Sequence, residues 1–97
     1  MVLPKYRKPT HPGEILLEEF LRPLGISQAQ FARHLDWTYA KLNEIIREKR
    51  GITPDTALDL SMALGTTPMF WLNLQLHYDL WEASQHKREI EPLRIAS

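Results

Sequence analysis

The sequence predicts an all-α fold with five main helices. Apolar residues recur at intervals of three and four over most of the chain, which is the spacing of one helix face. Capping residues, two of them followed by proline, stand where these stretches begin, at Ser27, Thr38, Thr53-Pro54 and Thr67-Pro68. The 97 residues, 43% of them hydrophobic, suit one core. We expect an N-terminal arm at residues 1–10, a helical domain at 11–84 and a C-terminal tail at 85–97.

The first helix should begin near Pro12, because proline is favoured in a first turn, and should be stopped by Pro23 and Gly25. Its buried stripe is Leu16, Phe20 and Leu24, while three glutamates form the opposite, solvated face: Glu14, Glu18 and Glu19. The preceding arm is basic, with Lys5, Arg7 and Lys8, and we expect it to be mobile or loosely packed rather than a DNA contact.

Residues 27–47 predict two short helices joined by a tight turn. Ser27 and Gln30 have the spacing of a capping box, which satisfies two free backbone N–H groups. Asp36 stands at the turn, where its side chain tolerates the left-handed conformation, and Trp37 fills the turn. Thr38 caps the second helix, whose inward residues are Leu42 and Ile45.

The outward face of this second helix is small or polar, which fits the donor and acceptor pattern of a DNA major groove. Its residues are Tyr39, Ala40, Lys41, Asn43, Glu44 and Arg47. We expect Tyr39, Lys41, Asn43 and Arg47 to approach bases, and phosphates to be held by Gln28, Thr38, Lys49 and Arg50. The structural alternative is an ordinary helical hairpin, since such motifs have false positives.

The fourth helix has an inner stripe of Ala57, Leu60 and Leu64, and the fifth is apolar over most of its circumference. We therefore expect the fifth helix to pack on a second subunit and form a homodimer through Trp71, Leu74 and Tyr78, unless the tail folds back over it. Residues 89–95 of that tail are irregular or a short strand, which Pro92 confines to an edge. The predicted core is Leu16, Phe20, Phe31, Ala32, Leu35, Leu42, Ile45, Leu60 and Leu64.

The composition disfavours an enzyme, a metal site and a cofactor. The chain has no cysteine, and none of its four histidines lies four residues from another or in an HExxH motif. The start lacks the apolar segment of a signal peptide, and no apolar run is long enough for a membrane, so we expect a cytoplasmic protein. Net charge is zero, yet residues 1–50 hold nine Lys/Arg against six Asp/Glu, which favours nucleic acid locally.

Together with SQAQFA at 27–32, three further segments resemble HigA-type antitoxins, also called virulence-associated protein I, within the phage-repressor-like (XRE) helix-turn-helix proteins. They are HPGEILLEEFLRPLG at 11–25, ITPDTALDLSMALGTTP at 52–68 and FWLNLQLHYDL at 70–80. The resemblance implies a five-helix, lambda-repressor-like DNA-binding domain that is usually dimeric. It also implies a repressor that binds a palindromic operator of its own operon and neutralises a HigB-type mRNA endonuclease toxin.

The chain departs from this family at two turns. Asp36 replaces the usual turn glycine, and Arg47-Glu48 replaces the usual Asn-Gly, so the recognition helix is expected to end less sharply. Two other functions stay open. One is a helix-turn-helix regulator without a toxin partner, and the other is an interaction protein that has lost DNA binding, which the zero net charge, Glu44 and Glu48 favour. An operator-binding assay distinguishes this interaction protein from the leading function, a dimeric repressor that is also an antitoxin.

Overall fold

A computed structural model describes residues 7–94, which form five helices and contain no strand. Helix α1 covers residues 12–24, with α-helical ends at Pro12–Ile15 and Arg22–Leu24 and a π-helical centre at Leu16–Leu21. The other helices are α2 (Gln28–Leu35), α3 (Tyr39–Ile46), α4 (Pro54–Leu64) and α5 (Pro68–Ser84). The predicted all-α, five-helix fold is confirmed. None of the helices in residues 7–94 is long and apolar enough to cross a bilayer.

Helix α1 passes through Pro23, so the expectation that this proline stops the helix is wrong. A proline inside an α-helix clashes with the carbonyl four residues earlier and donates no hydrogen bond. Just before Pro23 the helix widens into its π segment, where the Arg22 N–H donates to the Leu17 carbonyl, five residues back. This wider turn makes room for the ring, and α1 ends one residue after it, at Leu24, where Gly25 follows with φ 68°.

The core lies between α1, the α2–α3 pair and the first turns of α4 and α5. Six of the predicted core residues are buried: Leu16, Phe31, Ala32, Leu42, Ile45 and Leu60. Phe20, Leu35 and Leu64 are only half-buried and pack against the edge of the core, which corrects their assignment. Four further residues complete it, namely Leu21, Ile52, Ala57 and Trp71.

Helix α5 has two apolar stripes, and the exposed one is not the stripe of Trp71, Leu74 and Tyr78 that the sequence analysis expected to face a partner. Trp71 is 0% exposed, because its ring packs 5.4 Å from Phe20 and its indole N–H donates to Thr66 Oγ1 at 2.7 Å. Leu74 and Tyr78 follow it on the inner side and are half-buried. The assignment of Trp71 to a dimer surface is therefore wrong, since a fully buried ring offers nothing to a partner.

The outer stripe of α5 holds Leu72, Leu76 and Leu80, with Leu76 52% and Leu80 41% exposed. The described part of the tail, residues 85–94, does not cover this stripe, since every one of these residues is exposed and Leu93 is 91% exposed. The tail is irregular over this range, and Ile95, the end of the suggested strand, lies outside the described residues, as does Lys5 of the arm.

Candidate nucleic-acid interface

Local hydrogen bonds fix the start of both helices of the predicted DNA-binding pair. The Gln30 N–H donates to Ser27 Oγ at 3.1 Å, and the Ser27 N–H donates to Gln30 Oε1 at 3.0 Å, so the predicted capping box is confirmed. The Lys41 N–H donates to Thr38 Oγ1 at 3.1 Å and caps α3 as predicted. Each cap sets the direction in which its helix enters the fold.

The turn between α2 and α3 is stabilised by a hydrogen bond within its own backbone and by a side-chain hydrogen bond to α4. Asp36 is left-handed, with φ 59°, as predicted, and the Trp37 N–H donates to the Ala32 carbonyl at 2.8 Å. The Trp37 indole N–H donates to Asp59 Oδ2 on α4 at 2.9 Å. The turn is therefore attached to a third helix as well as to the pair it joins.

Helix α3 packs closely against the beginning of α1. A Cβ atom placed on Gly13 would lie 1.9 Å from the Ile45 carbonyl oxygen, so only glycine permits this approach. Leu42 and Ile45 are both 0% exposed. These contacts fix the rotation of α3 about its axis, and with it the set of side chains that faces outward.

All the predicted DNA-facing residues lie on or beside the outer side of α3 or in the segment that follows it. Thr38, Tyr39, Ala40, Arg47, Lys49 and Arg50 are exposed, and Gln28, Lys41, Asn43 and Glu44 are half-buried. Four of these ten residues are cations and one is a carboxylate. The surface is thus locally basic in a chain of zero net charge.

The amides of Gln28 and Asn43 are paired across the two helices, because Asn43 Nδ2 donates to Gln28 Oε1 at 3.1 Å. Asn43 keeps its Oδ1 acceptor and a second N–H, which are the two groups that pair with adenine in the major groove. Gln28 keeps its Nε2 donor for a phosphate oxygen. The hydrogen bond therefore holds the two amides in one fixed geometry across the helix pair.

Two of the predicted cations already have partners within the chain. Lys41 Nζ lies 4.3 Å above the centre of the Trp37 ring. Arg50 Nε lies 2.8 Å from Glu44 Oε2. Both ends of this ion pair are partly exposed, so breaking it to bind another anion costs little, and in the free protein Arg50 neutralises the charge of Glu44.

Helix α3 ends sharply, and the expectation of a gradual end is wrong. Glu48 adopts the left-handed conformation with φ 63°, the Lys49 N–H donates to the Glu44 carbonyl at 2.8 Å, and the Glu48 N–H donates to the Ile45 carbonyl at 3.0 Å. This is the Schellman arrangement, formed here without glycine. The reversal carries Lys49 and Arg50 past the end of the helix, onto the side where they are exposed.

An open cleft of roughly 470 Å³ separates this segment from α5. His11, 3% exposed, lies in its wall, where its Nδ1 accepts from the Gly13 N–H at 2.9 Å and its ring meets the edge of Tyr78. Burial lowers the pKa of His11, although the negative charges of Glu48, Asp79 and Glu82 oppose the shift. His11 is therefore a buried side chain that caps the start of α1.

Sequence reasoning missed the contacts that join distant segments, namely Trp37–Asp59, Gly13–Ile45 and the contact of Ile52 with Gln75, and also the Glu44–Arg50 ion pair at the end of α3. No local signal marks these partners. Within residues 7–94, no three His, Asp or Glu side chains come together as metal ligands.

Comparison with known proteins places this geometry in a family. Residues 17–72 match the family model described as Helix-turn-helix. Virulence-associated protein I of Dichelobacter nodosus is 50% identical over 80 residues, which cover 82% of this chain and 74% of that protein. A structure of Pseudomonas aeruginosa antitoxin HigA with the higBA promoter is 45% identical, with a TM-score of 0.82, and the match covers 89% of this chain and 99% of that one.

A structure of antitoxin GraA in complex with its operator is 42% identical, with a TM-score of 0.80, over 93% of this chain and 100% of that chain. These matches extend from the helix-turn-helix into both flanking regions and join relatives of one kind. The chain therefore belongs to the helix-turn-helix family, in the group of virulence-associated protein I and the HigA-type antitoxins.

Proposed function

We propose that this protein is a DNA-binding autorepressor and the antitoxin of a toxin–antitoxin module, acting in the cytoplasm where its operator lies and without catalytic activity of its own. The outward face of α3 carries the proposal, because the Asn43–Gln28 pair holds a base-reading amide in place between cations that suit phosphates. Structures of the HigA and GraA relatives with promoter or operator DNA support DNA binding by this chain.

The proposed DNA-binding form is a homodimer joined through the outer stripe of α5. Leu76 and Leu80 are exposed on this stripe, and Leu72 beside them is half-buried and packs partly against the core. Leu74 and Tyr78, which the sequence assigned to the dimer surface, are half-buried on the opposite, inner side of α5. A two-fold axis there would present two α3 helices to successive major grooves about 34 Å apart, which calls for a palindromic operator. Sedimentation at micromolar concentration tests this, and Leu76→Glu should give a folded monomer. A wild-type monomer would exclude the dimer.

The experiment on DNA compares two variants on a set of duplexes from the region upstream of the coding sequence. Asn43→Ala should reduce discrimination at one base pair, a change worth about 1–3 kcal/mol, and bind altered sequences almost as well as the original. Lys49→Ala should weaken binding to every sequence alike and reduce the salt dependence by roughly one phosphate contact. Equal losses on every sequence for both variants would show that these roles are wrongly assigned, and no binding by the wild type would favour an interaction protein that has lost DNA binding.

The proposed protein partner is a HigB-type toxin, a small basic ribonuclease, bound through the acidic side of α1. Glu14, Glu18 and Glu19 are exposed there, and Glu18 is paired with Arg22 at 3.1 Å. Complementary charge would speed encounter with a basic partner. Asp55 and Asp59 on α4 are the other acidic candidates for this surface. Asp55 is exposed, whereas Asp59 is half-buried and accepts the Trp37 indole N–H.

Reversing Glu14 and Glu19 to Lys tests this surface while leaving the Glu18–Arg22 pair in place. Toxin association should be slower than with the wild type at low salt, and the difference between the two rates should shrink at high salt because ions screen the charges. Reversal of Glu89 and Glu91 in the tail provides the matched control. An unchanged rate for the α1 variant would remove this helix from the interface, and a slower rate for the control would place the toxin on the tail.

A further inference from the structure

The segment between α3 and α4, which carries the phosphate-binding candidates Lys49 and Arg50, is attached to α5 by one side chain. The Ile52 N–H donates to Gln75 Oε1 at 2.7 Å. Ile52 itself is buried, at 6% exposed. The segment is therefore fixed by a backbone hydrogen bond at the point where it leaves the DNA-facing surface.

The Gln75 side chain also limits the room for a Cβ atom at Gly51. A Cβ atom at this position would lie 3.0 Å from both Cδ and Oε1 of Gln75, which is closer than side chains normally approach. The positive-φ glycines of residues 7–94 are Gly25 and Gly65, so Gly51 is not required by its backbone conformation. A Cβ atom there would instead displace the Gln75 amide by a few tenths of an ångström, because this amide lies directly against the chain.

Gln75 is in turn held at its other end. Its Nε2 donates to Asp79 Oδ1 at 2.8 Å, one helical turn further along α5. One turn earlier, Trp71 is fully buried and anchors the helix in the core. A continuous set of contacts therefore links the core, through α5 and the Gln75 amide, to the backbone next to Lys49 and Arg50.

We propose that Gln75 is a positioning residue for DNA binding, which holds residues 48–52 so that Lys49 and Arg50 meet the phosphates without further ordering. The inference rests on the proposed DNA-binding function. A segment already held in its bound geometry avoids the entropy cost of ordering on association, and this cost would appear as lost affinity if the tether were removed. Because Leu72 and Leu76 lie on the same turns of α5, the tether also connects the phosphate contacts to the helix of the proposed dimer.

The test compares Gln75→Ala with Asn73→Ala, a matched amide removal at an exposed position on the same helix. In the free protein, Gln75→Ala should speed hydrogen exchange of the Ile52 amide by about tenfold, as expected for a freed backbone donor. Affinity for an upstream duplex should fall about tenfold, the effect of 1.4 kcal/mol, with a shallower salt dependence and almost unchanged Tm. Asn73→Ala should change none of these quantities.

A double variant makes the test specific. Gln75→Glu with Asp79→Asn keeps both hydrogen bonds and exchanges donor and acceptor between the two side chains, so it should restore both the slow exchange and the affinity. If the wild type binds the duplex and Gln75→Ala binds it equally well, the role of Gln75 is refuted while the proposed function stands. If the wild type binds no upstream duplex, the proposed function fails first, and the role of Gln75 in binding fails with it.

Discussion

Replacing Glu48 with glycine should stabilise this protein, although no side-chain contact is gained. Glu48 sits at φ 63°, where an L-residue with a Cβ atom is strained by about 1–2 kcal/mol. Glycine removes that strain but returns about 0.5–1 kcal/mol of chain entropy to the unfolded state. The expected net gain is about 0.5–1 kcal/mol in the free energy of unfolding, or a rise in Tm of about 2–8 °C for a domain of this size.

Two further variants separate backbone strain from charge. Glu48→Gln removes the carboxylate but keeps the Cβ atom, so it should leave the stability nearly unchanged and tighten DNA binding at low salt. Lys49→Gly places glycine at the next position, where φ is not positive, and should lower the free energy of unfolding by about 0.5–1 kcal/mol.

Urea unfolding of the three variants at one pH provides the measurement, with the slope checked for two-state behaviour. If Glu48→Gln stabilises the protein as much as Glu48→Gly, charge rather than backbone strain is responsible and the reasoning is refuted. The reasoning would also be refuted if Lys49→Gly were stabilising, because glycine relieves no positive φ at that position and its added chain entropy favours the unfolded state.

Three other predictions follow from buried contacts. Burial lowers the pKa of His11, so the unfolded chain binds this proton more readily. The free energy of unfolding should rise with pH up to about 6.5 and then level off, and His11→Asn should abolish that component in urea titrations. Gly13→Ala places a methyl group against the Ile45 carbonyl and should cost about 1–3 kcal/mol, whereas Glu14→Ala, exposed at the next position, should change the stability by less than about 0.5 kcal/mol in the same assay. Trp37→Phe should cost about 1 kcal/mol by losing the bond to Asp59, and a double-mutant cycle with Asp59→Ala should show coupling that vanishes if the bond does not form in solution.

Features determined by neighbours in the sequence could be predicted. The Ser27–Gln30 capping box and the Thr38 cap each span three residues, and Asp36 is a residue type that tolerates φ 59° by itself. The family comparison indicated where glycine was expected near Glu48, but the sequence alone could not show that glutamate would adopt the same conformation. The Schellman bonds of the surrounding chain impose it there.

Features that depend on the relation between distant segments could not be predicted. Helix α5 is apolar on both of its stripes, so the periodicity of the sequence does not show which stripe faces the core. The prediction assigned the stripe that is in fact inward to the dimer surface. The orientation of α5 is set by the space between α1 and the α4–α5 turn, because this space accommodates the large ring of Trp71. Likewise, Asn43 and Gln28 are 15 residues apart, and only the crossing of α2 and α3 brings their amides together.

The Asn43–Gln28 pair has a consequence for anyone who wishes to redirect this protein to a new DNA target. A library that randomises only the outward residues of α3 would replace Asn43 and keep Gln28. The unchanged Gln28 would then hold the new residue 43 in a wrong orientation or make no contact with it. Position 28 should therefore be varied together with position 43, as one two-residue module. Variants selected with both positions free should outperform those from α3 alone, even though residue 28 touches no base in the proposed arrangement.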